Sequence, residues 1–224
     1  MQNPKPGASA ERTSLADQAF NALEQMIVTL QLPPGSLWSE AMLSESLGIG
    51  RTPVREAVQR LAEYHLVVIM KRHGIRIADV NEQEQLLVLE TRRELERSIA
   101  TRAARRASAE DKKTMATMAQ ALLRAGKAGD VSELLRQYFL AKSFTAGCAG
   151  NRFSAQAIAP LYTLSRRFYF MHHQELNDLP EVARLHAELL RAIATGDEQA
   201  AAVACDAQID YAADFAKRII TRGF

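Results

Sequence analysis

Apolar residues recur with the period of an α-helix in the first part of the chain. Between positions 15 and 30 they return every three or four residues, which predicts an amphipathic helix over this stretch. Pro33-Pro34-Gly35 ends the pattern, because proline lacks the amide that a helix needs and a Pro-Gly pair favours a turn. Leu37-Trp38 follows as a short extended piece.

Two further helices are predicted close behind the first. Ser39-Glu40 begins one of them and Gly48 stops it, since glycine readily takes the left-handed conformation that ends helices. The next begins at Thr52-Pro53, where a proline in the first turn loses no hydrogen bond. Its apolar stripe consists of Val54, Ala57, Val58 and Leu61.

A β-hairpin is predicted after the third helix. Two apolar runs, at 66–70 and 75–78, flank a basic tip that contains a glycine. Two helices joined by a tight turn and followed by a basic hairpin are typical of a winged helix-turn-helix. Residues 15–78 are therefore predicted to form a DNA-binding domain.

The rest of the chain is predicted to be helical. Residues 79–84 form a polar hinge, and residues 85–224 are predicted to be an all-α helical bundle. Residues 1–14 are expected to be a disordered tail. Glycines and capping residues, with capping boxes expected at Asp130 and Asp178, divide the bundle into six helices at 82–106, 109–126, 130–147, 152–174, 179–195 and 197–221. The predicted fold class is mainly α.

Composition excludes several classes of protein. Of the 224 residues 47% are hydrophobic and 24% charged, which is typical of a soluble globular chain. No run of 18 apolar residues is present, so no membrane partner is expected. Two cysteines without CxxC spacing argue against a disulfide framework and favour a cytoplasmic location. No phosphate-binding glycine loop, GxSxG or HExxH motif occurs, so the protein is not expected to be an enzyme.

Positive charge is concentrated in one stretch, although the whole chain carries only +2. Residues 50–77 contain six Lys or Arg against two Glu, which favours contact with phosphates. Arg51, Thr52 and Arg55 fall at the amino end of the third predicted helix, from which a recognition helix reads the major groove. The alternative is an ordinary solvated helix face with internal ion pairs.

The same stretch resembles the GntR family of bacterial transcription regulators. The resemblance rests on Pro34-Gly35, on 37–40 and on the run Arg51-Thr52-Pro53-Val54-Arg55-Glu56-Ala57, and it continues to Gly74. It implies DNA contacts by Arg51, Thr52 and Arg55. A wing is implied at Lys71, Arg72, His73 and Gly74.

The helical remainder resembles the FCD effector domain of the FadR/VanR branch of that family. The residues that carry this resemblance are Arg92-Arg93-Glu94-Leu95-Glu96, Ala149-Gly150-Asn151, Leu185-His186-Ala187-Glu188 and Gly196-Asp197.

Two positions of the DNA-binding half depart from the family pattern. Ala41 stands where the family usually has an arginine, so the operator is expected to differ from those of relatives. His65 stands where the family usually has glycine, and a left-handed conformation there costs about 1 kcal/mol for a side chain. We interpret His65 as structural.

FCD domains typically hold a divalent metal with one Asp and three His, and the resemblance places those positions at Tyr138, Lys142, His186 and Gln208. Only His186 keeps the family residue. A phenol and an amide do not replace a carboxylate and an imidazole, and a protonated lysine has no lone pair to donate. We therefore expect no metal and no other cofactor.

A small carboxylate is the effector that these replacements favour. Lys142 is expected to meet the ligand carboxylate directly in the metal's place. Arg92 matches a family arginine that often faces the pocket and adds a second cation. Orienting hydrogen bonds are expected from Tyr138, His186 and Gln208. The alternative is that Lys142 pairs with Glu96 or Glu188 and that the cavity is filled or idle.

The sequence thus predicts a transcription regulator that binds a double-stranded DNA operator as a homodimer, because two recognition helices one DNA turn apart require two chains. Repression is the commoner mode among relatives and is the expected one. Two alternatives stay open. One is an effector-independent regulator whose helical domain only dimerises, and the other is a small helical enzyme with an accessory DNA-binding domain.

Overall fold

A computed structural model describes residues 14–175 and 177–222. The described chain is mostly helical, with one small antiparallel sheet in its first third. This confirms the predicted fold class. The predicted tail falls on residues 1–13, which lie outside the described residues, and on Ser14, whose hydroxyl accepts the amide of Asp17 and caps the first helix.

The N-terminal part contains the helices and strands of a winged helix-turn-helix in the predicted order. The elements are α1 Leu15–Val28, β1 Leu37–Trp38, α2 Glu40–Leu47, α3 Arg51–Glu63, β2 Val67–Met70 and β3 Gly74–Ile77. Strand β3 lies between the other two and pairs with both in antiparallel register, so that Leu37 faces Arg76 and Val67 faces Ile77. The short extended piece is therefore an edge strand of the wing.

The core of this part lies between α1, α3 and the wing. Leu23 and Ile27 of α1 are buried in one cluster with Val58 and Leu61 of α3 and with Ile77 of β3. The four helix residues are apolar positions that the helical period selected, and Ile77 belongs to the second apolar run of the predicted hairpin. Their burial fixes α1 against α3, so a displacement of α1 carries α3 with it.

The remaining helices are α4 Glu82–Arg106, α5 Ala109–Ala128, α6 Val131–Cys148, α7 Arg152–His172, α8 Leu179–Thr195 and α9 Glu198–Arg222. A 3-10 turn, His173–Glu175, follows α7. The predicted boundaries agree to within two residues. None of the described helices is both long and apolar enough to cross a bilayer.

The predicted hinge at 79–84 is wrong in its second half. The side chain of Asn81 accepts hydrogen bonds from the backbone amides of Gln83 and Glu84 at 3.0 and 3.2 Å. It is thus the N-cap of α4, which begins at Glu82. Satisfying these amides makes the first helical turn favourable, so only residues 79–81 of the predicted hinge stay outside the helix.

Of the two predicted capping boxes, the one at Asp130 keeps only its first bond among the described contacts, and the one at Asp178 does not form. Asp130 caps α6 by accepting the amide of Glu133 at 2.9 Å. Asp178 precedes α8 but makes no capping bond. Its carboxylate instead accepts hydrogen bonds from the hydroxyls of Tyr169 and Tyr211, both at 2.5 Å. Two phenols from neighbouring helices compete for the oxygens that the helix amides would use.

Helix α7 contacts both parts of the chain. Leu164 packs against the N-terminal core, and Arg167 donates from Nη2 to the backbone oxygen of Ala78 at 2.6 Å. The same helix contributes Ser165, Arg166 and Phe168 to a cavity inside the helical part. The N-terminal part and the cavity are thus joined through one helix.

Candidate nucleic-acid interface and buried cavity

The amino end of α3 lies on the protein surface. Gly50 occupies the N-cap position and offers no side chain to the free amides of the first turn. Arg51, Thr52 and Arg55 are exposed, while Val54 between them in sequence is fully buried. Open amides at the positive end of a helix, together with two guanidinium groups, form a surface that attracts phosphate.

Arg55 is oriented by Glu40 at the start of α2. Its Nε and Nη2 atoms donate to the two carboxylate oxygens of Glu40 at 2.9 and 2.7 Å. The guanidinium group of Arg55 holds the pKa of Glu40 below its usual value. This side-on pair uses Nε and one Nη2 hydrogen, so the second Nη2 hydrogen and one Nη1 hydrogen still form an end-on pair of donors suited to guanine O6 and N7.

The wing tip consists of Lys71, Arg72 and His73, which are all exposed. Gly74 differs from the prediction that placed it with them, because it is the half-buried first residue of β3. Its φ is +92°, and a Cβ atom there would lie 2.6 Å from the backbone oxygen of Trp38. Gly74 therefore permits the close approach of β1 and β3, and a DNA contact by it stays a prediction.

His65 adopts the left-handed conformation expected of the glycine that it replaces. Its φ is +58°, and its amide donates to the oxygen of Ala62 at 3.0 Å just beyond α3. The side chain is exposed. The backbone geometry fits the structural interpretation of this residue.

A cavity of about 70 Å³ lies inside the helical part. Four of the five predicted ligand residues line it, namely Arg92, Tyr138, His186 and Gln208. They come from α4, α6, α8 and α9, so positions far apart in sequence converge. The other described lining side chains are mainly apolar, and none of those described carries a carboxylate.

Lys142 is held behind this cavity and does not line it. Its Nζ pairs with Glu96 and donates to Gln208 Oε1 at 2.8 Å. Of the two arrangements expected from sequence, the described one is the pair with Glu96. A direct contact between Lys142 and a ligand stays a prediction, and it requires the ammonium to leave two buried partners.

Glu96 is the centre of a buried charge cluster, which we define as Arg92, Glu96 and Lys142. Arg92 Nε donates to Glu96 Oε1 at 2.7 Å, and its Nη2 donates to the hydroxyl of Tyr138 at 3.0 Å. Burial alone would raise the pKa of Glu96, but the two cations outweigh it and hold that pKa below its usual value. The cluster therefore carries a net charge of +1.

The other polar side chains of the cavity are held in their neutral forms. Burial raises the pKa of Tyr138 to about 12. Burial, assisted by Lys142 and Arg92, lowers the pKa of His186 far below its usual value. The His186 ring packs edge-on against Tyr138, with 4.7 Å between the ring centres. A neutral phenol and a neutral imidazole offer hydrogen bonds without charge.

The residues at the four family metal positions do not fit a divalent cation. The ammonium of Lys142 brings positive charge to these positions, and the carboxylate of Glu96 is already bound to it and to Arg92. Among the described residues, no group of three His, Cys, Asp or Glu is arranged to hold a metal ion. That the protein works without a metal stays a prediction.

Arg166 was missed by the sequence reasoning. It is 2% exposed, lines the cavity and lies with its guanidinium carbon 4.6 Å from the centre of the Phe139 ring. The available signal was an adjacent pair of arginines, Arg166-Arg167, inside an apolar stretch of a predicted helix. Charged residues are rarely buried without partners, so such a pair indicates a buried polar contact.

Two family models match the chain. The model described as bacterial regulatory proteins, gntR family, matches residues 15–77, and the FCD domain matches residues 87–210. The chain is 40% identical over 70 residues to an uncharacterized HTH-type transcriptional regulator in an unstable DNA locus of Streptomyces ambofaciens, which covers 31% of the chain. It is 34% identical over 98 residues, 44% of its length, to another such regulator, from the TAR-I ttuE-ttuC' intergenic region of Agrobacterium vitis. The alignments span 29% and 57% of these relatives.

A longer alignment joins the chain to the HTH-type transcriptional repressor GlaR of Escherichia coli K12, at 27% identity over 68% of the chain and 71% of that repressor. Among solved structures, E. coli McbR/YncC superposes with a TM-score of 0.82 at 19% identity, covering 93% of the chain and all of that protein. A putative regulator from Rhodococcus sp. RHA1 gives 0.70 at 17% identity, covering 90% and 96%. Such identities show a shared fold.

The two family models match the two parts of the fold in order, the winged helix-turn-helix first and the helical part second. They are matches to transcription regulators and not to enzymes, which removes the alternative of a small helical enzyme. The chain belongs to the gntR family of bacterial regulatory proteins, and its helical part is an FCD domain.

Proposed function

We propose that the protein is a homodimeric transcription regulator that binds an operator through α3 and the wing, and that a small carboxylate in the cavity modulates this binding. The observation that carries the proposal is the exposed amino end of α3, where Arg51 and Arg55 accompany uncapped amides. Two such helices about 34 Å apart are needed to read successive major grooves, and this requires a second chain.

The base contact is assigned to Arg55 and the backbone contacts to the wing tip. Glu40 orients the Arg55 group from the side, and its remaining Nη1 and Nη2 hydrogens are left for a base. Lys71 and Arg72 are exposed at a tip with no carboxylate of its own, which suits phosphate.

The effector class follows from the charges and the size of the cavity. Arg92 and Arg166 line it, no carboxylate does so within the part of the chain that the structure describes, and the rest of this lining is mainly apolar. An engineered apolar cavity of about 150 Å³ accommodates benzene, so about 70 Å³ suits a carboxylate with a short aliphatic chain. In this proposal Lys142 positions Gln208, and Tyr138 and His186 orient the ligand.

Repression is proposed as the mode of action. The relative GlaR carries the name of a repressor. Ligand binding changes operator affinity only if the ligand binds two arrangements of the DNA-binding domains unequally, and the effect is then reciprocal.

The test of DNA binding begins with selection of duplexes from a random-sequence pool by the purified full chain. Affinity is then measured by fluorescence anisotropy for a selected and a scrambled duplex at several salt concentrations. We expect Arg55→Ala to weaken the selected duplex roughly 5- to 150-fold and the scrambled one far less. Lys71→Ala should weaken both alike and lower the salt slope by about one.

Arg105→Ala is the matched control. Arg105 is likewise exposed and makes two bonds to one glutamate, Glu198, at 2.8 and 2.6 Å, but it lies in the helical part. It should bind both duplexes like the wild type. Wild-type binding by both the Arg55 and the Lys71 variants would remove α3 and the wing from the interface.

The internal pairing of Lys142 with Glu96 favours a second candidate, a regulator that needs no effector. Thermal unfolding of the full chain with acetate, propionate and butyrate, each against its uncharged amide, separates the two. A rise in melting temperature with the acid alone supports the effector, and no rise with any of the three supports the second candidate.

A further inference from the structure

Helix α7 presents two faces with different partners. One face lines the cavity through Ser165, Arg166 and Phe168. The other face contacts the DNA-binding domain. Thr163 donates a hydrogen bond to Glu24 of α1, and Arg167 donates one to Ala78 in the linker, which we define as residues 78–81, between β3 and α4. Arg166 is the residue that takes part in both.

The contacts of Arg166 with α1 are few and unequal. Its Nη2 donates to Gln25 Oε1 at 3.0 Å, while its Nη1 lies 3.3 Å from Glu24 Oε1. Ion-paired hydrogen bonds usually measure about 2.7–2.9 Å. The bond to Glu24 is therefore a stretched one between two groups that are both buried.

The third polar atom of the same guanidinium group is unsatisfied. Arg166 Nε is buried and has no hydrogen-bond partner within the described residues. Buried N–H groups are nearly always bonded, so an orphan on a residue that lines a cavity indicates a missing acceptor. The side chain is 2% exposed, so the cavity is the route by which an acceptor reaches it.

We propose that Arg166 is a counter-ion shared between the cavity and the DNA-binding domain. A carboxylate in the cavity binds Nε and draws the guanidinium group away from Glu24 and Gln25, which loosens α1 from α7. This inference rests on the proposed function, because it assigns the regulation of the same cavity. The ligand is a short aliphatic monocarboxylate.

The loosened contact reaches the recognition helix by a direct path. Glu24 lies on α1 between Leu23 and Ile27, which pack in one core with α3. Arg167 keeps its bond to Ala78 because it does not line the cavity. The linker thus serves as a pivot, while the α1 contact opens and changes the placement of the two recognition helices in the dimer.

The linkage has a fixed sign. If the ligand and Glu24 compete for Arg166, removing the charge of Glu24 must tighten ligand binding, and ligand must weaken the attachment of α1. Glu24→Gln keeps the size of the side chain and an oxygen acceptor for Thr163. Asp17→Asn is the matched control, because Asp17 also lies on α1 but pairs with Arg60 inside the DNA-binding domain at 2.6 Å.

The experiment uses the full chain, propionate as probe and propionamide as its uncharged control. Calorimetry gives the propionate affinity, and hydrogen exchange read by mass spectrometry reports the amides of α1 and α7. We expect propionate, but not propionamide, to speed exchange in α1. We expect Glu24→Gln to bind propionate about fivefold tighter or more and to show fast α1 exchange without it, and Asp17→Asn to match the wild type.

Two results overturn the inference in distinguishable ways. Propionate binding with unchanged α1 exchange, and with equal affinity in Glu24→Gln, leaves the effector cavity standing and removes the role of Arg166. No propionate binding by wild type or variant removes the effector as well, while operator binding is judged separately. Gln25→Leu, which leaves the buried carboxylate intact, should also speed α1 exchange and covers the case in which Glu24→Gln fails to fold.

Discussion

The buried charge cluster predicts an unequal response to removal of its members. Glu96 is 2% exposed and is the single anion between Arg92 and Lys142. Glu96→Gln keeps the shape of the side chain and leaves two buried cations facing each other. Lys142→Met keeps the Arg92–Glu96 pair and fills the same space with an apolar chain.

The magnitudes follow from the cost of breaking buried pairs. At about 4 Å and an effective dielectric constant of about 20, each attraction is worth about 4 kcal/mol, and removing one partner of a buried pair typically costs about 3–5 kcal/mol. We expect Glu96→Gln to lower the free energy of unfolding by that amount. Lys142→Met should cost about 1–2 kcal/mol, chiefly because Gln208 loses its donor.

Urea unfolding followed by two probes measures these changes. Trp38, the single tryptophan of the chain, reports the DNA-binding domain, and far-UV circular dichroism reports mainly the helices. The Glu96→Gln midpoint should fall in circular dichroism more than in tryptophan fluorescence. Glu133→Gln, which removes the partner of exposed Arg136 on α6, should stay close to the wild type.

The double variant refutes or supports the charge argument. Removing Lys142 from Glu96→Gln relieves the repulsion between the two cations, so Glu96→Gln/Lys142→Met should be more stable than Glu96→Gln alone. A double variant that is less stable than the single one contradicts the reasoning, as does a Glu96→Gln protein within about 1 kcal/mol of the wild type.

Two further predictions concern His186 and Gly74. The lowered pKa of His186 keeps the folded ring neutral at a pH where the unfolded ring takes a proton. The free energy of unfolding should therefore be highest above about pH 6.5 and fall below it by up to about 1.4 kcal/mol per pH unit. Urea unfolding between pH 7.5 and 5 should show this fall in the wild type and a smaller one in His186→Gln, and an equal fall in both would contradict the assignment. Gly74→Ala should force β1 away from β3, shift the Trp38 fluorescence and weaken binding to the selected and the scrambled duplex alike. Gly48→Ala is its control, because Gly48 has a φ of +64° but no neighbour within 4 Å, so the substitution should cost only the strain of the left-handed conformation, about 1 kcal/mol. Equal effects of the two substitutions would contradict the role of the Trp38 contact.

The ends of several helices could be predicted from the sequence, because the residue at the end itself determines whether the backbone can turn out of the helix. Helices α2, α5 and α8 end where Gly48, Gly129 and Gly196 take left-handed conformations, and all three glycines are visible in the sequence. The hinge predicted at 79–84 overlapped the helix predicted from residue 82, because Asn81 lies inside a run of polar residues, where its capping bonds are not distinguishable by composition.

The contacts within the cavity required distant parts of the chain to meet. The resemblance indicated that Tyr138, His186 and Gln208 share one site, and they do line one cavity. The partner of Lys142 was open between Glu96 and Glu188, because periodicity gives the face of a helix but not its neighbour across the bundle. Nothing local linked Glu24 to Arg166, which are 142 positions apart.

The dual placement of α7 has a consequence for protein engineering. A sensor built by grafting a foreign DNA-reading head onto this FCD domain would keep the Arg167 anchor, since that bond goes to a backbone oxygen, but would lose Glu24 and Gln25 unless the donor happened to carry them. Such a chimera is expected to fold and bind DNA without responding to the proposed carboxylate. Transplanting these two side chains together with the head would be the minimal route to restoring its response.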